Sequence, residues 1–378
     1  MTSMTRDRRA VTTGPASPQL AGPVTGGVDT HGQTHHAAVI DMVGRHVGDR
    51  EFGTTPAGYR ALSLWLHSHG VPLDRVGVEG SGAYGAGLAR HLRAEGVRLV
   101  EVDRPDRSTR RSKGKSDPID AYAAARAALS GTATGAPKTR DGRVEAIRTL
   151  RLAKRSAIKA RTQAMNQLHA ALLTGPADLR EQLRALTGQR LVGACARLRQ
   201  PATGHALAAL PDPIPAATKS TLRRLARRHQ QLTDEIGDID ADLLPLVTLT
   251  APALLALNGV GVEVAAQLLA TAGDNPDRLS SEAAFAHLCG VAPLPASSGR
   301  TDRHRLNRGG DRAANNALYV VVLGRLRYHP RTRTYAARRT TEGLSKPEII
   351  RCLKRNVARE LYNALQPMKQ SEDLAPTP

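Results

Sequence analysis

The chain has 378 residues and a formal net charge of +20, too long for one ordinary core and basic enough to imply a polyanionic partner, nucleic acid first. Its apolar run Tyr319-Val-Val-Val-Leu323 is far too short to span a bilayer, so no membrane role is expected. Cys195, Cys289 and Cys352 are isolated and lack metal-ligand spacing, which fits a reducing cytoplasm.

Residues 1–23 are rich in Pro, Gly and Thr, carry early arginines and have no apolar h-region, so they read as a disordered arm and not a signal peptide. From 24 to 135 strand and helix patterns alternate. Val28-Asp29, His36–Asp41 and Val47–Phe52 read as a β-meander, with Gly44 and Gly48 as turn punctuation. Tyr59–His69 follows as a helix, Arg75–Glu79 as a strand, Ala83–Ala94 as a helix, Val97–Asp103 as a strand and Ile119–Leu129 as an Ala-rich helix. Three strands and then alternating helix and strand is the order of the ribonuclease-H-like fold. A Gly/Thr/Pro linker, Gly131–Thr139, leads into helical sequence. Between 140 and 247, Leu150, Ala157, Ala164 and Ala171 recur every seven residues. Leu222, Leu225, His229, Leu232, Ile236, Ile239 and Leu243 keep a three-four alternation, predicting a coiled-coil hairpin or dimer arm across Pro201–Pro215. Residues 249–365 read as a helical domain and 366–378 as a disordered tail. The fold class expected is α/β plus α.

Four acids stand out against the basic background. Asp29 and Glu79 end apolar strand runs, and Asp117 and Asp120 lie one turn apart on one helix face. Carboxylates about 4 Å apart repel by roughly 4 kcal/mol per pair at an effective dielectric of about 20. Such a cluster is tolerated when it holds cations, and strand-end acids facing a helical pair suit two divalent ions against a phosphodiester, with Mg2+ the natural choice. Asp117 taken singly also reads as the N-cap before Pro118.

Other motifs have two readings each. Gly80-Ser-Gly82-Ala-Tyr-Gly85 matches a dinucleotide-binding loop, with Asp103 where a ribose-binding acid would stand. The cations after it (Arg104, Arg107, Arg110, Arg111, Lys113 and Lys115) exceed the needs of a dinucleotide and suit a phosphate-binding loop or a solvated one. Leu254-x-x-Leu257-Asn-Gly259-Val-Gly261 reads as a helix-hairpin-helix offering backbone N–H groups to a phosphate, or as a plain helix connection. Ser297-Ser298-Gly299-Arg300, followed by Arg303, Arg305 and Arg308, reads as a nucleophile in a cationic loop or as a commonplace loop. His304 reads as a loop residue and His229 as a seam histidine.

Taken together, Asp29-Thr-His31, Glu79-Gly-Ser-Gly82, Lys113-Gly-Lys-Ser-Asp117-Pro-Ile-Asp120-Ala, Leu257-Asn-Gly-Val-Gly261 and Gly290-Val-Ala-Pro-x-x-x-Ser-Ser298-Gly resemble the DEDD-type insertion-sequence transposases, recombinases guided by a bridge RNA. The likeness runs in order from about Val24 to Leu365. It implies a Holliday-junction-resolvase-like N-terminal domain with an acidic quartet at Asp29, Glu79, Asp117 and Asp120, and a C-terminal transposase domain with a nucleophilic serine. The serine falls on Ser298 and not Ser297, because the family serine directly precedes the glycine. The resemblance further implies DNA and a structured guide RNA as partners. Nucleic-acid contacts are expected from Arg110, Arg111, Lys113, Lys115, Gly259, Gly261, Arg300, Arg303 and Arg308. A homodimer or homotetramer in which half-sites meet across subunits, and a cytoplasmic, nucleoid-associated location in a bacterium, complete the expectation. Arg104-Pro105 departs from the Asn-Pro common after that strand. The competing functions are a metal-dependent nuclease that uses water, a non-enzymatic nucleic-acid-binding protein and a nicotinamide-dependent oxidoreductase.

Overall fold

The structure is a computed structural model, described for residues 22–102, 116–199, 203–275, 278–297, 300 and 304–365. It divides into two compact units, residues 1–140 and 141–378.

The first unit runs β1 (Val24–Thr30), β2 (Thr34–Ile40), β3 (His46–Gly53), α1 (Pro56–Ser68), β4 (Leu73–Glu79), α2 (Ala86–Ala94), β5 (Leu99–Val102) and α3 (Asp117–Leu129). Its five-stranded sheet has the order β3-β2-β1-β4-β5. The β1–β2 and β2–β3 pairs are antiparallel, and β4 runs parallel to both β1 and β5. Side chains alternate across a strand, and here the two faces divide cleanly. Val24 and Val28 of β1 join Val39, Val76 and Val78 against Leu62, Leu66, Leu88 and Leu92 of α1 and α2. Burying each of those leucines contributes about 2 kcal/mol. Thr25, Gly27 and Asp29 face the other way, where Ala38 and Ile40 pack on Ala121, Tyr122 and Ala125 of α3.

Two glycines make that second face possible. Gly27 pairs with Gly77 across β1 and β4. A Cβ on Gly27 would sit 2.2 Å from the Ala121 carbonyl oxygen, and one on Gly77 2.4 Å from that of Ala124. Helix α3 therefore lies directly on the sheet backbone, its alanines adding little bulk of their own.

Several elements differ from the sequence reading. β1 begins at Val24, because Gly26-Gly27, poor strand formers alone, are held extended between β2 and β4. α2 starts at Ala86 and not Ala83, because Gly80 takes φ +71° and its carbonyl accepts from the N–H groups of Ala83 and Gly85, closing a turn. The Gly131–Thr139 linker is stitched to the first unit: Glu101 bridges Gly135, and Arg93 donates to the carbonyls of Pro137 and Thr139.

Among the described residues the second unit is helical apart from one small ladder. It contains α4 (Arg143–Leu173), α5 (Ala177–Leu183), α6 (Gly188–Ala196), α7 (His205–Ala208), α8 (Ile214–Thr250), α9 (Pro252–Leu255), α10 (Val262–Ala272), α11 (Glu282–Leu288), β6 (Leu294–Pro295), β7 (His304–Arg305), α12 (Arg312–Tyr328), α13 (Pro330–Thr341) and α14 (Lys346–Leu365). Helices α4 and α8 lie antiparallel. Val144 and Ile147 share a core with Ile239, Leu243 and Val247, while Leu168 shares another with Leu222 and Ala226. Of the alternating positions, Leu222, His229, Ile236, Ile239 and Leu243 are buried, and Leu225 and Leu232 are half-buried. The first of those cores also takes in α10, α12 and α14, so the long hairpin and the C-terminal helices are packed around common residues.

A polar network crosses this core. Arg151 donates to Gln267 at 2.7 Å and to Glu263 at 2.5 Å, and Lys154 donates to Glu263 at 2.8 Å and to Asp240 at 2.5 Å. Burial pushes the Glu263 carboxyl up, but hydrogen bonds from Lys154 and Arg151 outweigh it and hold the group below the usual range. Its native pKa lies below its unfolded one, so its contribution is complete above the unfolded value near 4.5 and is lost as pH falls through the native value. Glu263→Ala is expected to cost about 2 kcal/mol in urea unfolding at neutral pH, less than a fully buried pair because the carboxylate is half-exposed. The difference from wild type should shrink in acid.

Candidate active site

The parallel strands β1 and β4 end side by side, with Val28 opposite Val78. One residue further on, Asp29 and Glu79 fall on the sheet face that carries α3, by the same alternation that aims Gly27 and Gly77 at that helix. The Thr30 hydroxyl donates to the Glu79 carbonyl at 2.8 Å and ties the two strand ends together. Helix α3 opens at Asp117 with Ser116 as its N-cap residue in extended conformation and Pro118 in the first turn. The cap thus falls one residue before Asp117, which corrects the reading of Asp117 as the N-cap.

The acids converge. His31 Nε2 lies 3.1 Å from Asp29 Oδ2 and 3.3 Å from Asp117 Oδ1. One donor atom from each of Asp29, His31 and Asp117 lies within 4.8 Å of the other two, a cluster able to hold a metal ion. Burial pushes the Asp29 carboxyl above its ordinary range. His31 pulls it down, and the neighbouring charges of Asp120 and Asp117 push it up again. Asp29 and Asp120 are buried, at 6 % and 4 % exposure. Asp29, Asp117 and Asp120 therefore share one electrostatic environment. Glu79 is half-buried at the adjoining strand end. The donor set fits a divalent cation: carboxylate oxygens suit Mg2+ or Mn2+, and buried mutually repelling acids gain most from a positive charge.

His31 is the residue that sequence reasoning passed over as a site member. The signal was present, because a residue two beyond Asp29 returns to the same face of an extended chain.

The other candidates are more scattered. Arg110, Arg111, Lys113, Lys115, Ser298 and Arg303 lie outside the described residues. Arg300 and Arg308 are exposed. β6 and β7 form a two-stranded ladder, Leu294 with Arg305 and Pro295 with His304, that brackets the stretch containing Ser297 and Ser298. His304 is thus a strand residue and not a loop one. Beyond the ladder, Gly310 crosses Gly290 so closely that a Cβ on Gly310 would meet the Gly290 nitrogen at 2.2 Å. Asn315 donates to the Cys289 and Gly290 carbonyls, and Asp311 caps α12 while accepting from Thr271. The bracket is therefore fixed to the helical core. Beside it lies a cavity of about 770 Å³ lined by Gly290–Pro293, His304, Arg305, Arg351, Lys354 and Arg355. Burial and the nearby Arg351 hold the Lys354 ammonium below its usual range, although its Nζ donates to Asn315.

Gly259 takes φ +79° between α9 and α10, and Gly261, the N-cap residue of α10, has open space around it. A turn at positive φ thus joins α9 to α10 there, and Glu263 occupies the first turn of α10. In the Gly80–Gly85 turn the N–H groups of Ala83 and Gly85 are already bonded to Gly80. That leaves fewer donors for a dinucleotide pyrophosphate than the fingerprint needs.

Residues 26–175 match the DEDD model of the IS110 group, described as a transposase. Residues 251–337 match the model described as the transposase IS116/IS110/IS902 family. The chain belongs to this insertion-sequence transposase family. Of similar proteins, the insertion element IS900 uncharacterized 42 kDa protein of Mycobacterium paratuberculosis is 31 % identical over 150 residues, 39 % of this chain and 38 % of that protein. The insertion element IS110 uncharacterized 43.6 kDa protein of Streptomyces coelicolor is 32 % identical over 118 residues, 31 % of this chain and 29 % of that protein. The matched stretch thus spans less than two fifths of either relative. The first family match contains all four acids and His31, and the second contains the Gly259 turn, the β6–β7 bracket and α12. Among the described residues no helix is long and apolar enough to cross a membrane.

Proposed function

We propose that this chain cuts and rejoins DNA strands as the transposase of an insertion element, with Asp29, Glu79, Asp117 and Asp120 holding two divalent cations, Mg2+ in the first instance, and Ser298 as nucleophile. The observation that carries the reading is the meeting of Asp29 and Asp117 around His31, with Asp120 adding its charge, at the paired ends of two parallel strands. The strand order, three antiparallel strands extended by two parallel ones, supports a ribonuclease-H-like resolvase domain. The long α4–α8 pair supports a coiled-coil arm.

The bound cations would supply Lewis-acid stabilisation of charge on the scissile phosphate and ease deprotonation of the attacking hydroxyl. The chain's own residues do the rest. Asp29 and Asp120, buried between sheet and helix, have little conformational freedom and so offer their oxygens preorganised. Ser298 Oγ attacks phosphorus, the bond from phosphorus to the 3′ oxygen breaks, and the proton given up by Oγ is balanced by the one taken up by the departing oxygen, so that a phosphoserine diester and a free 3′-hydroxyl result. Arg300, Arg303 and Arg308 on the same stretch would offset charge on the phosphate. A second 3′-hydroxyl reverses the step on another strand, so one phosphodiester is exchanged for another and no nucleotide triphosphate is required.

DNA and an element-encoded bridge RNA are the proposed partners, with target choice left to base pairing. Arg110, Arg111, Lys113 and Lys115, the Gly259–Gly261 turn and the cationic cavity beside the bracket supply sequence-independent phosphate contacts. A homodimer or homotetramer acting in the bacterial cytoplasm on nucleoid DNA completes the proposal.

Ser298→Ala is expected to abolish a denaturation-stable protein–DNA adduct while leaving DNA affinity within about twofold, since the variant removes one oxygen and no charge. Gel analysis of the adduct, with filter binding in parallel, checks both. An undiminished adduct would overturn the serine assignment. Strand cleavage with no adduct in the wild type would favour the alternative, a metal-dependent nuclease that uses water.

A further inference from the structure

We propose that His31 is itself a ligand of the cation site, so that one ion is held by Asp29, His31 and Asp117 through an imidazole nitrogen and two carboxylates. The proposal rests on the reading of the acidic cluster as a cation site.

His31 is the first residue beyond β1, and its position is fixed by the backbone. Its N–H donates to the Thr34 carbonyl at 3.1 Å, closing the tight connection into β2. A single ring atom, Nε2, makes both carboxylate contacts, at 3.1 and 3.3 Å. A protonated imidazole has one hydrogen on that nitrogen and can direct it well at only one acceptor. A nitrogen placed between two carboxylate oxygens also matches adjacent corners of a coordination shell. Ligands about 2.1 Å from a six-coordinate ion stand about 3 Å from each neighbour, close to both observed separations. The ring is 38 % exposed on its side-chain surface, so an ion can reach it, while Asp29 beneath is 8 % exposed and anchors the floor. The trio therefore combines a buried carboxylate, an accessible imidazole and a half-exposed carboxylate on the helix.

A nitrogen donor changes which ions the site prefers. Mg2+ favours an all-oxygen shell and keeps its waters, whereas first-row transition ions gain affinity from an imidazole, and Mn2+, at the weak end of that series, accepts both donor types. One of the two ion positions would thus carry a nitrogen ligand, and Mn2+ is expected to bind there more tightly than Mg2+.

The full-length protein loaded with Mn2+ tests this by pulsed electron paramagnetic resonance. The expected result is a ¹⁴N modulation from a directly bound imidazole that moves to ¹⁵N frequencies when the protein is labelled with [¹⁵N]histidine. In His31→Gln that modulation should vanish and Mn2+ affinity should fall about tenfold or more. Asp29→Asn should lose the ion. If Mn2+ binds in an Asp29-dependent way but shows no nitrogen coupling, or keeps the coupling in His31→Gln, His31 is not a ligand and the acidic site stands without it. If no Mn2+ site responds to Asp29→Asn, the cation reading fails and the His31 assignment falls with it. The labelling arm needs no substitution, so an absence of nitrogen coupling overturns the assignment even where His31→Gln folds poorly.

Discussion

Gly27→Ala is expected to unseat α3 and to take the acidic cluster apart with it. The added methyl would sit 2.2 Å from the Ala121 oxygen, 2.3 Å from the Ala125 nitrogen and 2.8 Å from the Ala125 Cα. All three are main-chain atoms, so no side-chain rotation relieves the overlap and the helix must lift. Overpacking of a tight core costs about 1–3 kcal/mol, and this contact, with no flexible partner, belongs at about 3 kcal/mol, a large share of the roughly 5–15 kcal/mol that holds a domain together. Asp117 and Asp120 ride on the first turn of the displaced helix and would move away from Asp29. Urea unfolding and Mn2+ titration of the variant should both register the loss. Gly26→Ala is the control: its methyl would lie 3.1 Å from side-chain carbons of Leu66 and Val76, which can shift. It should cost about 1 kcal/mol and leave cation binding intact. Wild-type stability and cation binding in Gly27→Ala would mean that α3 does not rest on β1.

Asp29→Asn is expected to reduce strand cleavage by about 10³-fold, the equivalent of roughly 4 kcal/mol of transition-state stabilisation, and yet to make the cation-free protein more stable. Burial holds the Asp29 carboxyl above its ordinary range, Asp120 and Asp117 add to this, and His31 opposes it. The native state thus binds that proton more tightly than the unfolded chain does. The favourable contribution is complete below the unfolded pKa near 3.8 and is lost as pH rises through the native one, above which the carboxylate is ionised and repelled. Asparagine removes that repulsion. In EDTA at pH 7 the variant should melt above wild type, and the gap should close as pH falls toward 4. With a divalent ion at about 100 times its Kd the order reverses, because binding adds about 2.7 kcal/mol to wild type and nothing to the variant. A variant that melts lower in EDTA, or still cleaves, would count against the cluster.

Much of the first unit was legible because strands and helices there carry plain periodicities. Val76 and Val78 mark β4, and the Ala-rich run after Pro118 marks α3. Gly26-Gly27 was harder, since glycine's poor strand propensity says nothing of the helix that needs its bare backbone. The start of α2 was misjudged because Gly80 closes a turn through positive φ, which an Ala-Tyr-Gly-Ala stretch does not announce. In the second unit the seven-residue repeat showed that α4 and α8 have seams. It could not show that Val144 and Val247 would share a core with Leu318 and Leu361, more than a hundred residues away in places. The meeting of Asp29 with Asp117 was inferable from strand-end logic and helical spacing. The part of His31 was only hinted at by its place two residues beyond Asp29, because a histidine beside an acid is unremarkable until distance shows that one nitrogen serves two carboxylates.

The bed beneath α3 carries a consequence for how such proteins diverge. Where main chain lies on main chain, at Gly27 and Gly77 against Ala121 and Ala124, mutation has only one direction open to it, since every amino acid is larger than glycine. Compensating changes cannot rescue a lost glycine there, because no neighbouring side chain can be trimmed to make room. Lineages of this chain should accordingly keep that seam frozen while the solvent-facing residues around it drift, so its footprint ought to outlast most of the remaining similarity.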